Sequence, residues 1–125
     1  MSFSKSSILI IDDDASIGFL TKARLSKHDN YDVVVAHNGL EGIKLVNNKK
    51  PDLILLDWEM PGINGIEVLK QIKKQSETSN IPVVMLTGKN LVGEIEDAFK
   101  AGADAYITKP IDLKKLSEKV KSFLN

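Results

Sequence analysis

Four consecutive apolar residues, Leu53-Ile54-Leu55-Leu56, stop at Asp57, and a loop containing Pro61, Gly62 and Gly65 follows. Such a run reads as a buried strand that ends where the punctuating residues begin. Ile8-Leu9-Ile10-Ile11 repeats the pattern and stops at Asp12-Asp13-Asp14. If both strands run parallel in one sheet, their carboxylates meet at one edge, and ligands of open α/β sheets bind at that carboxyl edge. Carboxylates crowded there repel one another. A divalent cation relieves the repulsion, and Mg²⁺ favours one or two carboxylates together with waters and phosphate oxygens. A remaining carboxylate is then available to accept a phosphoryl group. Two later runs end at the same place in the pattern: Val83-Val84-Met85-Leu86 before Thr87-Gly88, and Ala105-Tyr106-Ile107 before Thr108-Lys109-Pro110. The edge therefore gathers acids, a hydroxyl and an ammonium.

Five strand-like runs, Ser7–Ile11, Val33–Ala36, Asp52–Leu56, Val83–Leu86 and Ala105–Ile107, alternate with five helix-like segments. That alternation predicts a parallel sheet covered by helices on both faces. The first helix starts after Asp14 as N-cap, turns Ile17, Leu20 and Leu25 inward, and ends near His28-Asp29-Asn30. The second covers about Gly39–Asn48 with Leu40, Ile43 and Val46 inward; Gly42 inside it costs about 1 kcal/mol relative to Ala. The third, Gly65–Gln75, turns Ile66, Leu69 and Ile72 inward. In the fourth, Leu91, Ile95, Ala98 and Phe99 form one apolar face, with Gly102 as C-cap. The fifth follows Asp112 as N-cap and presents Leu113, Leu116, Val120 and Phe123 or Leu124. The polar stretch Ser76–Asn80 reads as a mobile loop.

At 125 residues the chain has the length of one domain, 1–125, able to bury a core without disulfides. Its formal net charge is zero with one arginine, which argues against nucleic acid as a partner. There is no cysteine, no apolar stretch of membrane-spanning length and no signal-peptide pattern, so no membrane role is expected and a cytoplasmic location is.

Taken together, Asp12-Asp13, Asp57, the Met60-Pro61 turn with Gly65, Thr87, and Lys109-Pro110 occur in the order seen in receiver domains of two-component response regulators. The chain resembles that family from Ile8 to about Leu124, in a length similar to the single-domain chemotaxis regulator. The resemblance implies a doubly wound (βα)5 flavodoxin-like three-layer sandwich with strand order 2-1-3-4-5, whose switch point lies between the first and third strands. It implies Asp57 as phosphoacceptor and Mg²⁺ or Mn²⁺ held by Asp12, Asp13, Asp57 and the backbone carbonyl of Glu59. Lys109 pairs with Asp57 and then with the phosphoryl group, positioned by a cis bond to Pro110. Thr87 is the switch hydroxyl and Tyr106 the aromatic that follows it. The donor is a sensor histidine kinase or a histidine phosphotransfer protein. The output is a downstream protein bound through the fourth helix, fifth strand and fifth helix. The protein is then a monomer or a weak phosphorylation-dependent dimer, and not an enzyme acting on a foreign substrate.

Three other readings compete. Asp12-Asp13-Asp14-Ala15-Ser16 resembles the signature of haloacid-dehalogenase-like phosphatases, with Asp12 as nucleophile, although no late acidic pair and no cap accompany it. A flavodoxin-type flavin binder on the same fold would need a Ser/Thr-rich loop where three acids stand. The third is a receiver used as a phosphorylation-independent interaction module; the intact acid set speaks against it. Asn64 stands where many receivers have Asp before Gly65, and both suit that turn. Glu59 and Lys89 flank the expected phosphoryl entry and form a candidate lid pair. Trp58 reads as a partly exposed loop aromatic beside the site. His28 and His37 read as surface residues, and the lysines of the last helix as its wet side.

Overall fold

The computed structural model describes residues 5–88 and 92–124. The elements in chain order are β1 (Ser7–Ile11), α1 (Ala15–Ala23), a π-helical turn (Arg24–His28), β2 (Asp32–Ala36), α2 (Gly39–Lys49), β3 (Leu53–Asp57), α3 (Gly65–Lys74), β4 (Val83–Thr87), α4 (Val92–Lys100), β5 (Ala105–Thr108) and α5 (Leu113–Leu124). All pairings are parallel, in the order β2-β1-β3-β4-β5. The fold class and strand order match the sequence reading. Against the expected bounds, β2 starts one residue earlier because Asp32 pairs with Ser7, β3 is displaced by one residue, and β3, β4 and β5 each end one residue later because Asp57, Thr87 and Thr108 still pair. Lys89, Asn90 and Leu91 lie outside the described residues, and with them the Glu59–Lys89 pair and the Leu91 position.

The core has two halves because side chains of a strand alternate between faces. Leu9, Ile11, Ile54, Leu56, Val83 and Met85 face α2, α3 and α4, meeting Val46, Val68, Leu69, Ile72 and Ala98. Ile8, Ile10, Leu53, Leu55, Val84 and Leu86 face the other way, onto Leu25, Leu116 and Val120. β3 and β4 are buried along their whole length, whereas the edge strand β2 alternates.

Glycines allow the closest approaches. A Cβ on Gly42 would stand 2.6 Å from Ile11 Cδ1, so the helix-weakening glycine is where α2 rests on β1. A Cβ on Gly65 would lie 2.2 Å from the backbone oxygen of Asp57 and 2.7 Å from Trp58 Cα. Backbone cannot yield as a flexible side chain does, so α3 can start here only with glycine.

Several inward assignments fail. Leu20, Leu40 and Phe99 are exposed, at 54%, 65% and 44%. α1 instead touches the sheet through Gly18, beside Val35, and buries Thr21, whose hydroxyl donates to Ile17 O at 2.6 Å. Small residues let that helix lie close and leave its large ones outside. Trp58 is also not partly exposed: it is 8% exposed, within the α2–α4 half of the core.

The stretch 76–80 is likewise anchored. Thr78 is buried and its hydroxyl donates to Ile72 O at 2.6 Å, while Lys73 Nζ donates to Ser79 O at 3.1 Å and Ile81 O at 2.7 Å. The same ammonium bonds Asp104 Oδ2 at 3.0 Å, which also accepts from Val83 N at 2.8 Å. Among the described residues no helix is long and apolar enough to cross a membrane.

Gly65→Ala should cost at least about 2 kcal/mol, since neither backbone segment at the contact has room. The check is urea unfolding: a lowered midpoint with an unchanged slope is expected, and an unaltered midpoint would mean that α3 shifts freely.

Candidate functional site

Strand register assembles the site. Ile11 lies opposite Leu56, which brings Asp12 level with Asp57; Asp57 itself lies opposite Leu86, one residue before Thr87. Thr87 pairs with Thr108, one residue before Lys109. Main-chain bonds carry the pairing past the ends of β1, β3 and β5: Asp12 N to Ala36 O at 3.0 Å, Trp58 N to Leu86 O at 2.9 Å, and Lys109 N to Thr87 O at 2.8 Å.

Asp12, Asp13 and Asp57 offer carboxylate oxygens that all lie within 4.8 Å of one another. Asp12 and Asp57 are buried and Asp13 is at the exposed rim. Lys109 Nζ donates to Asp57 Oδ1 at 3.0 Å and stands 3.5 Å from Asp12 Oδ2. The latter is an ion pair too long for a good hydrogen bond. Asp12 Oδ2 is thus fully buried with no hydrogen-bond donor among the described residues. Its other oxygen accepts from Asp14 N at 2.9 Å, and Asp14 in turn caps α1, accepting from Ser16 N and Ile17 N. The three consecutive acids divide their work as their positions suggest.

Burial pushes the Asp57 carboxyl up to about 7; Asp12 and Asp13 push the same way, and Lys109 offsets only part of this. Burial pulls the Lys109 ammonium down, but its hydrogen bond to Asp57 and the charge of Asp12 outweigh that, so it is held above its ordinary value and stays charged. The Lys109–Pro110 bond is cis, as the family resemblance implied. Thr87 is buried at the end of β4. Tyr106 stands 38% exposed on β5, its ring edge-on to Phe99 with centroids 6.1 Å apart. Glu59 follows in the loop, its N–H 3.4 Å from Asp57 Oδ1, and Asn64 caps α3 by accepting from Glu67 N. Of the expected site residues Lys89 lies outside the described residues; among the others, Asp12, Asp13, Asp57 and Lys109 converge.

A family model described as the response regulator receiver domain matches residues 8–121. The chain belongs to this family. It is 38% identical to protein PilH of Pseudomonas aeruginosa, over 94% of this chain and 96% of PilH. It is equally identical to the phosphate regulon transcriptional regulatory protein PhoB of the same organism, but spans only 51% of that protein's length. The structure of the chemotaxis protein CheY4 of Vibrio cholerae superimposes with a TM-score of 0.90 at 25% identity, covering 96% of this chain and 99% of that one.

Two groups escaped the sequence reading. Lys73 looked like one of sixteen lysines, most of them solvated, yet it is mostly buried and joins α3 to β4 and β5. Arg24, Asp29 and Ser117 likewise meet across 93 positions of sequence, with no local motif to betray them.

The raised Asp57 carboxyl makes a pH prediction. A carboxyl whose folded value exceeds its ordinary one favours folding fully below about pH 4, and that contribution is lost as pH rises towards 7. Asp57→Asn removes the cost of the buried charge. In metal-free buffer the variant should be more stable than the parent at pH 8, by roughly 2 kcal/mol, and gain little at pH 4. Urea midpoints at the two pH values check it; equal midpoints at pH 8 would contradict the burial cost.

Proposed function

We propose that this receiver takes a phosphoryl group onto Asp57 from a phosphohistidine on a sensor kinase or phosphotransfer protein. The observation that carries the reading is the pairing of Asp57 Oδ1 with Lys109 Nζ at 3.0 Å, at the strand edge where Asp12 and Asp13 converge. In the transfer the P–N bond of the donor breaks as a bond forms between phosphorus and an Asp57 oxygen, and the imidazole regains a proton from solvent. Asp57 must be ionised to attack, and Lys109 favours that form. As charge moves onto the phosphoryl oxygens, the Lys109 ammonium follows it, an electrostatic contribution made by a group already in place.

A hard divalent cation fits the donor set. The cluster is all oxygen, and the buried Asp12 Oδ2 has the ion pair to Lys109 but no hydrogen bond. Asp12, Asp13, Asp57 and the Glu59 carbonyl would hold Mg²⁺ or Mn²⁺, which supplies positive charge against the phosphoryl oxygens. The phosphatase alternative is weakened by the placing of the ammonium, since Lys109 Nζ donates to Asp57 Oδ1 at 3.0 Å and stands farther, at 3.5 Å, from Asp12 Oδ2.

The modified state then biases two conformers through Thr87 and Tyr106, and a downstream protein reads the face formed by α4, β5 and α5. Val92, Phe99 and Tyr106 are exposed apolar residues there, which suits an interaction surface.

Acetyl phosphate with Mg²⁺ should add about 80 Da, one phosphoryl group, to the parent and nothing to Asp57→Asn. Intact-mass spectrometry reads this directly. An equal gain in the variant would move the acceptor elsewhere, Asp12 first.

Thr87→Ala should still be labelled, because nucleophile, acids and Lys109 remain. One hydrogen bond to a charged group is worth roughly 1.5–3 kcal/mol, enough to change the ratio of conformers about 10- to 150-fold. The variant should therefore lose most of the amide shifts that beryllofluoride, a phosphoryl mimic, induces across 92–121 in the parent. Equal shifts in both would exclude Thr87 as the switch.

A further inference from the structure

The end of α1 is unusual. Asp29 N donates to Arg24 O at 3.1 Å, an i→i+5 bond, and the chain then leaves through Asn30 at φ 66° with Tyr31 N on Leu25 O at 2.9 Å. Residues five apart in a 3.6-residue helix point roughly 140° away from each other. The wide turn brings Arg24 and Asp29 to one side. Both then reach α5. Arg24 Nε donates to Ser117 Oγ at 2.7 Å, and Ser117 Oγ donates to Asp29 Oδ2 at 2.6 Å. The hydroxyl's one proton and one of its two acceptor positions are committed. His28 Nδ1 lies 2.7 Å from the other Asp29 oxygen, and Leu25, Leu116 and Val120 pack nearby in the same half of the core.

The two helices so joined both spring from the site. α1 begins at Asp14, whose amide bonds Asp12, and α5 begins four residues after Lys109. Asp57 touches Lys109 directly and lies beside Asp12. The chain path Asp12–α1–Arg24 and the path Lys109–α5–Ser117 are therefore closed into a ring by these bonds. We propose that Arg24, Asp29 and Ser117 form a latch through which a change at Asp57 is delivered to α1 and α5 as one joint displacement. This rests on the phosphoacceptor reading and adds a route for its output. Ser117 is a positioning residue, remote from the chemistry.

The test compares the parent with Ser117→Ala, and with Asp29→Asn as a second variant that keeps the shape of the side chain. Beryllofluoride with Mg²⁺ is added to each, and amide NMR shifts are recorded at Asp57 and Thr87, over 24–31 and over 113–124. In the parent, 24–31 should shift together with 113–124. In either folded variant, the shifts at Asp57, Thr87 and 113–124 should persist and those over 24–31 should be lost. A merely stabilising contact would lower the melting temperature and leave that pattern unchanged. Shifts over 24–31 that survive in the variants, or that never occur in the parent while Asp57 and Thr87 respond, overturn the latch. No response at Asp57 in the parent overturns the phosphoacceptor reading, and the latch with it.

Discussion

Mutual repulsion among three carboxylates is the constraint around which this protein is arranged. Asp12 and Asp57 are buried, and Asp13 stands at the rim of the same cluster. One ammonium, Lys109, faces Asp57 and Asp12 together. Burial first, and then the neighbouring acids against a single ammonium, keep the Asp57 carboxyl well above its ordinary range. The arrangement is costly by itself and becomes favourable when further positive charge or a charge-dispersing reaction arrives. Strongly shifted ionisable groups of this kind concentrate at functional sites.

The geometry that enforces this crowding comes from register and close packing. Parallel pairing sets Asp12 beside Asp57 and places Thr87 and Lys109 one residue beyond paired positions. Gly65 lets α3 begin against the carbonyl of Asp57 itself. The main chain of Asp57 is thus fixed by a strand on either side and a helix end behind it.

Much of this was legible in the sequence because buried parallel strands announce themselves. Runs such as Leu53–Leu56 and Val83–Leu86 have no polar face, and the residue that ends each run belongs to the site. Helix faces were less legible. Leu20, Leu40 and Phe99 have the spacing of core residues but lie outside: α1 rests on the sheet through Gly18, and α4 gives Ala98 to the core while Phe99 meets Tyr106. Trp58 erred in the opposite direction: it sits in a loop by sequence, yet fills the core beside α3. Periodicity reports which residues are apolar, not how much neighbouring surface is left for them. Long-range polar contacts outside the site were not legible, and the Asp57–Lys109 pair, 52 positions apart, came through the family resemblance. Nothing near Lys73 or Ser117 in the sequence indicates the partners 31 and 93 positions away.

The Lys73 ammonium has a mechanical consequence. It ties α3 to the loop before β4, and through Asp104 it gathers the starts of β4 and β5 at the same point. The opposite ends of those strands carry Thr87, Thr108 and Lys109. One end of the strand pair is therefore pinned like the fixed end of a cantilever, and the other is loaded by the charges of the site.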